Sequence, residues 1–274
     1  MIGFLTISPA PLILLPPSEG KSSGGEGPPL VLNTLSFDAL NPTRERIATA
    51  LVKLSERPRS SRHLLGVKGV ALEKAMAENA SLDDAPTLPA IERYTGVMYD
   101  AIDHQSLDAD ARDAFGQNVI IMSGLFGMVR PFDMIPAYKL KMGAKLIRKK
   151  TCASVWKPLI TSSLAGSSGN GVIWDLLPIE HSAAWDSSSV PHKKRFTVKF
   201  LERNAAGELR TVNHWSKLLK GSLIRHLLSN PDASGSTESA LELIADFSHP
   251  EGHRFDPALT SEDDEHTDIV FVKD

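Results

Sequence analysis

The sequence carries a single cysteine, Cys152, in 274 residues. One thiol excludes an intrachain disulfide framework and any multi-cysteine zinc site within one chain. Aromatic residues make up only 6%, so the core has to rest mainly on Leu, Ile, Val and Ala. No apolar run approaches the roughly 18–20 residues needed to span a bilayer. Residues 2–15 are apolar, but Pro9 and Pro11 interrupt them and no basic segment precedes them. They read as a first strand, not a secretion signal. The usual catalytic signatures are missing too. A nucleophile elbow at Ser123 would need glycine where Ile121 stands, and no His-Glu-x-x-His occurs. At Ser18-Glu19-Gly20-Lys21-Ser22 a Walker loop would need glycine in place of Leu15, and Pro16 and Pro17 remove the amide donors that would cradle a phosphate. No cofactor and no metal site is expected, and the chain reads as a cytoplasmic protein without a membrane partner.

Hydrophobic residues at 42% and charged residues at 23% are an ordinary globular mixture. Strand-like and helix-like segments alternate irregularly, which favours a mixed α/β (α+β) single domain over residues 1–274 rather than a regular doubly wound sheet. Prolines bracket a buried strand at residues 12–15. Asn41 as N-cap and Pro42 in the first turn open a helix that carries Ile47, Leu51 and Leu54. Further helices are expected at residues 69–80 and 106–116. Residues 153–164 are expected to be partly helical, although they contain Pro158. The spacing of Leu218, Leu219, Leu223 and Leu227 predicts an amphipathic helix over 215–229. Strands are expected at 118–122, 138–140, 171–176 and 268–273, with a hairpin joining 195–202 to 208–214. Flexible loops are expected near 22–29 and 165–171.

The net charge of −3 hides an asymmetry. Residues 246–274 hold nine acids against Arg254 and Lys273, a net of −7, which leaves residues 1–245 at +4. Such a split points to a polyanion-binding body with an acidic tail, and equally suits an ordinary body with a solvated end.

Three stretches carry the positive charge. Residues 138–150 contain Lys139, Lys141, Lys145, Arg148, Lys149 and Lys150 with no acid among them. Lys193, Lys194, Arg195 and Lys199 form a second cluster. Both could neutralise phosphates, and both could be solvated faces. Residues 64–71 place Gly66 and Gly69 just before a helix, near Arg62, Lys68 and Lys74. Glycines there would let backbone amides approach a phosphate at a helix N-terminus, although an unremarkable glycine turn would read the same way. Lys21 is either a surface lysine, an anion contact or a buried, activated amine. Ser123, Arg130 and Asp133 surround two glycines at a strand end, where Arg130 and Asp133 could pair or face a cleft. Glu180-His181 is a candidate acid–base pair.

Four segments resemble the YaaA family of peroxide stress resistance proteins: LLPPSEGK at 14–21, RYTGVMYDAI at 93–102, MSGLFGMVRPFDMIPAYKLKMG at 122–143 and WSKLLKGSLIRHLL at 215–228. The first is similar to the Gram-positive branch of that family. The resemblance implies the family's α/β fold, called the cantaloupe fold, with a positively charged cleft and a helix-hairpin-helix element. It further implies binding to duplex or branched DNA with little sequence preference, and a role in peroxide protection linked to DNA repair and to limiting free iron. Lys21, Tyr94, Gly96, Ser123, Gly124, Gly127, Arg130, Pro131, Asp133, Tyr138, Lys139, Met142, Gly143, Lys217 and Lys220 fall on its motif positions.

Three functions are therefore in play. The first is a DNA-binding stress protein that contacts phosphates through Arg62, Gly66, Lys68, Gly69, Lys74, Lys139, Lys141, Lys145, Lys193, Lys194, Lys217 and Lys220. The second is an enzyme of unassigned reaction, built from Ser18, Lys21, Ser123, Arg130, Asp133 and Tyr138. The third is an iron-handling protein that uses the plentiful Asp, Glu and His, ranked last because no spacing marks a ligand set.

Overall fold

The computed structural model describes residues 10–212, 216–249 and 251–274. The start of the apolar N-terminal stretch, His214 at the end of the expected hairpin and Trp215 at the start of the expected helix lie outside the described residues. The strands in chain order are β1 (Leu12–Leu15), β2 (Gly27–Pro29), β3 (Pro86–Pro89), β4 (Val119–Ser123), β5 (Gly127–Val129), β6 (Met134–Ile135), β7 (Val172–Asp175), β8 (Lys194–Arg203), β9 (Leu209–Thr211), β10 (Arg254–Phe255), β11 (Ser261–Glu262) and β12 (His266–Lys273). The helices are α1 (Asn41–Ser55), α2 (Pro58–Leu65), α3 (Val70–Ala80), α4 (Ala90–Arg93), α5 (Val97–Ile102), α6 (Ala109–Asn118), α7 (Cys152–Ser167), α8 (Ile179–Ser182), α9 (Ser216–Leu228), α10 (Pro231–Gly235) and α11 (Ala240–Asp246).

The fold is mixed α/β, as expected, but its sheet has a parallel spine in the order β12-β8-β7-β1-β4. Antiparallel strands finish it: β5 beside β4, β10 and β11 against β12, and β9 against β8. β2, β3 and β6 form a separate small sheet. β1 is apolar at all four positions and buried at all four, as a central parallel strand with neighbours on both sides must be. The alternation of strand and helix is hard to read because α1 to α6 all intervene between β1 and its partner β4. After β4 the chain returns to the other side of β1, where β7 pairs with it. The strand order therefore reverses at β1.

Several expected boundaries move for local reasons. Asn41 is the first helical residue rather than the cap, and its Oδ1 accepts a hydrogen bond from Arg44 Nη1 at 2.8 Å. The helix expected from residue 106 starts later, because Asp108 caps α6 by accepting from Ala111 N at 2.8 Å. Pro158 lies inside α7, exposed, while Trp156, Ile160 and Leu164 hold the helix to the core. Burial on that face outweighs the one backbone bond a proline removes. The helix runs through Ser167 and Ser168 is buried, so the expected loop at 165–171 is short and partly packed. Residues 138–140 pair with no strand among the described residues. The acidic segment is no loose tail: β12 lies inside the sheet between β8 and β10.

Candidate functional site

Ligands of open α/β sheets gather at the carboxyl ends of parallel strands where the strand order reverses. Here that place is the segment after β1. Pro16 and Pro17 cannot donate to a ladder, so the strand stops and the chain turns across the sheet edge. Tyr99 Oη donates to Pro16 O at 2.8 Å, Ser18 Oγ donates to Thr95 O, and Lys21 bridges the backbone of Tyr94. A Cβ on Gly20 would stand 2.7 Å from Thr95 Oγ1, so only glycine fits against that neighbour without a shift.

Two clefts meet at Pro17 and Ser18. One, with about 430 Å³ of open space, is lined by Glu19, Lys21, Tyr138 to Met142, Glu180 and His181. The other, of about 540 Å³, runs along Thr95 to Tyr99 to Lys217. At the wall of the first, Ser123 Oγ accepts from Phe126 N at 2.9 Å and bonds Tyr138 Oη at 2.7 Å, which bonds Tyr94 Oη at 2.8 Å. Burial pushes the Tyr138 phenol up to about 12 and raises Tyr94 well above its ordinary value, so both stay protonated.

Lys21 stands over this network. Its Nζ lies 4.3 Å from the centre of the Tyr138 ring and 5.2 Å from that of Tyr94, and donates to Ser18 O at 3.0 Å. No carboxylate lies within ion-pair distance of it among the described residues. The residue keeps some exposure, yet desolvation of its ammonium, with Lys139 and Arg93 adding repulsion, brings it down to about 7 against the smaller pull of Glu78 and Glu19. Lys139 and Lys141 reach the mouth at 3.3 and 3.0 Å from the two oxygens of Glu19. The lysines, Lys141 foremost, hold that carboxyl below its usual range. Across the cleft, Glu180 Oε1 accepts from Gly143 N at 2.6 Å, and half-buried His181 has a pKa lowered by desolvation and a buried Nδ1 without a partner among the described residues.

The structure divides the expected polar set. Ser18, Lys21, Ser123 and Tyr138 converge, whereas Arg130 and Asp133 lie elsewhere. Arg130 Nη1 donates to Val119 O, at the opposite end of β4 from Ser123, and stacks over Phe37. Buried Asp133 accepts from the backbone N–H and the hydroxyl of Ser36 and from Arg130 N. Both fix loops and neither faces the cleft, because the Arg-Pro-Phe-Asp turn comes after the chain has crossed back along β5.

The basic residues divide as well. Lys139, Lys141, Lys217 and Lys220 belong to the carboxyl edge; Lys220 Nζ donates to Leu176 O at 2.7 Å, and burial lowers its pKa. Lys193 and Lys194 sit at the amino edge, where Lys194 is buried against Glu262 and Asp263 O. Lys199 pairs with Asp268 at 2.7 Å and Arg195 with buried Asp175 at 2.6 Å. Acids of the C-terminal strands thus neutralise part of the second cluster, and one trough holding both basic clusters is not formed. Lys145 is exposed beyond the rim. Arg62, Lys68 and Lys74 are exposed around a turn in which Gly66 and Gly69 have φ of 68° and 58° between α2 and α3.

Sequence reasoning missed Asn79. Its side chain accepts from Lys139 N at 2.8 Å and donates to Lys139 O at 3.0 Å, locking the end of α3 to the cleft rim. Nothing in the sequence near Asn79 signals a partner 60 residues away. Gly124 is the rim's other support. A Cβ there would come within 2.8 Å of Leu140 O and 3.0 Å of the Lys141 carbonyl. Gly124→Ala is therefore expected to push the 140–141 backbone outward, at a cost of about 1–3 kcal/mol, visible as a lower midpoint in thermal unfolding. An unchanged midpoint would show that the rim yields freely.

The sequence profile described as Peroxide stress protein YaaA matches residues 12–259. The chain belongs to this family. Relatives with the UPF0246 designation include a Streptomyces coelicolor protein, 35% identical over 87% of this chain and 90% of its own, and one from Corynebacterium efficiens, 38% identical over 80% and 86%. A Campylobacter jejuni protein is 31% identical over 86% of this chain and 89% of its own. Cys152 is buried, and burial pushes its thiol up to about 12, the opposite of a peroxide-reducing thiolate. Among the described residues no helix is long and apolar enough to cross a membrane, and no group of three His, Cys, Asp or Glu could hold a metal ion.

Proposed function

We propose that the chain serves peroxide defence by binding DNA, duplex or branched and with little sequence preference, through its carboxyl-edge cleft and the α2–α3 turn. The observation that carries this reading is the Asn79 clamp. It ties Lys139 to one end of α3, while the other end holds Gly69 beside Lys68. Ten helical steps of 1.5 Å separate the two, roughly 15 Å along one wall, with Lys74 between them. A helix-hairpin-helix-like turn and a lysine rim at that separation suit phosphates a few nucleotides apart on one strand. Glu19 and Glu78 partner Lys139, Lys141 and Lys74 in the free protein, and a phosphate would take over the pairs with Lys139 and Lys141. Any effect on free iron is then read as a consequence of DNA protection, not of chelation.

Fluorescence anisotropy with a labelled duplex and a four-way junction tests this. With about four phosphates neutralised, affinity is expected to fall roughly 100-fold between 50 and 200 mM salt. The double variant Lys139→Ala/Lys141→Ala is expected to flatten the log–log slope by about 2, and Lys193→Ala at the far edge to leave it alone. A flat salt response, or equal losses from both variants, would overturn the assignment.

A further inference from the structure

The clamp leaves Lys21 unexplained. A lysine that only binds anions is served best by exposure and by carboxylates that keep it charged. Lys21 has the reverse surroundings: two tyrosine faces, one backbone carbonyl and no acid in contact among the described residues. It lines an open cleft whose mouth carries Lys139 and Lys141. An amine kept from full solvation, at the base of a cleft with cations at its entrance, has the layout of a carbonyl-capturing nucleophile. His181 lines the same cleft with a ring nitrogen that has no partner among the described residues.

We propose that Lys21 captures the aldehyde of a phosphorylated sugar as an imine, with Lys139 and Lys141 holding the phosphate. The neutral Nζ attacks the carbonyl carbon, and the C=O π pair moves to the oxygen, which takes a proton. The resulting carbinolamine expels that oxygen as water while the nitrogen lone pair forms the C=N bond. Amine and aldehyde give imine and water, and no oxidant or reductant is consumed. The free amine needed for attack is available because Lys21 titrates near neutrality. Both protons of the attacking Nζ end on the carbonyl oxygen, one on attack and one as water departs. His181, whose pKa burial lowers, is the group at hand to take the second from the nitrogen and pass it to that oxygen.

The aldehyde has two sources: a free aldose phosphate, or the ring-opened deoxyribose of an abasic site within a strand. The second source rests on the DNA reading above. Borohydride trapping separates them, using glyceraldehyde 3-phosphate, a duplex with a natural abasic site, and a duplex with a tetrahydrofuran abasic analogue that has no aldehyde. The whole protein is incubated with each, reduced and mapped by peptide mass. A stable adduct is expected on Lys21 at least tenfold above that on exposed Lys145 or Lys149. It is expected to disappear in Lys21→Met, whose folding is checked by circular dichroism, and to increase from pH 6 to 8 as the amine is freed. Trapping with the abasic duplex identifies the strand-borne source; trapping with the free sugar phosphate alone identifies the other. Binding of the analogue duplex without trapping of either aldehyde overturns the imine and leaves the DNA reading standing. Trapping of the sugar phosphate without binding of any duplex does the reverse. Labelling spread evenly over exposed lysines overturns the proposal.

Discussion

Arg44→Met is expected to destabilise the protein by about 3–5 kcal/mol. Arg44 is fully buried in α1 and uses its whole guanidinium: Nε donates to Phe126 O at 2.9 Å, Nη2 to Met128 O at 2.6 Å and Ser36 O at 2.8 Å, and Nη1 to Asn41 Oδ1 at 2.8 Å. Desolvation, partly offset by Asp133 and Asp38, lowers its pKa to about 10, still charged at neutral pH. Methionine fills much of the volume but strands three backbone carbonyls, two of them buried, each at about 1–3 kcal/mol. Arg44→Lys is expected to recover only part of the loss, since one ammonium cannot reach four acceptors in a planar fork. Denaturant unfolding at pH 7 measures both, and a loss below about 1 kcal/mol for Arg44→Met would show that the turn between β4 and β5 needs no such brace. Those carbonyls flank Gly127, whose φ of 74° and tight fit against Trp156 leave little room to readjust.

Lys21→Met is expected to act the other way and stabilise the protein near neutral pH. Both the folded and unfolded chains hold the Lys21 proton below pH 7, and the folded state then bears the whole burden of the buried charge. Between about 7 and the ordinary lysine value of 10.5 the unfolded chain holds the proton and the folded chain does not. The burden therefore shrinks as pH rises through this window and vanishes above it. The full shift corresponds to about 5 kcal/mol, of which the tyrosine faces return part, leaving on the order of 2–4 kcal/mol at pH 7. Desolvation sets most of the shift, and the facing charges that adjust it are Lys139 and Arg93 on one side and Glu78 and Glu19 on the other. Urea unfolding of both proteins at pH 7 and pH 9 is the measurement. A variant less stable at pH 7, or a gap that widens with pH, would show that Lys21 is a structural cation. A stabilised Lys21→Met would support the proposed imine chemistry, since stability is commonly given up at functional groups.

The sequence made some of this legible. Apolar runs with proline brackets located β1, and the leucine spacing located α9, because both signals are local. Glycines next to Ser123 marked a tight crossing correctly. Long-range pairing was hidden. Arg130 and Asp133 looked like site residues because they adjoin Ser123 in sequence, yet β4 and β5 carry them to the opposite edge of the sheet. Lys194 looked like a phosphate contact because its partners, Glu262 and the Asp263 carbonyl, come some 70 residues later. Glu19 and Asn79 carried no signal, since each acquires its meaning from the backbone or side chain of residues 139–141.

Placing β1 at the centre of the parallel spine has a biosynthetic consequence. On a ribosome, Leu12–Leu15 emerges roughly a hundred residues before its first partner, Val119–Ser123, and its second, Val172–Asp175, follows later still. Until Val119–Ser123 is made, four bare aliphatic side chains have no ladder to join. Such distant pairings form slowly and leave apolar surface open to aggregation, so trigger-type chaperones would be expected to attend the first half of the nascent polypeptide.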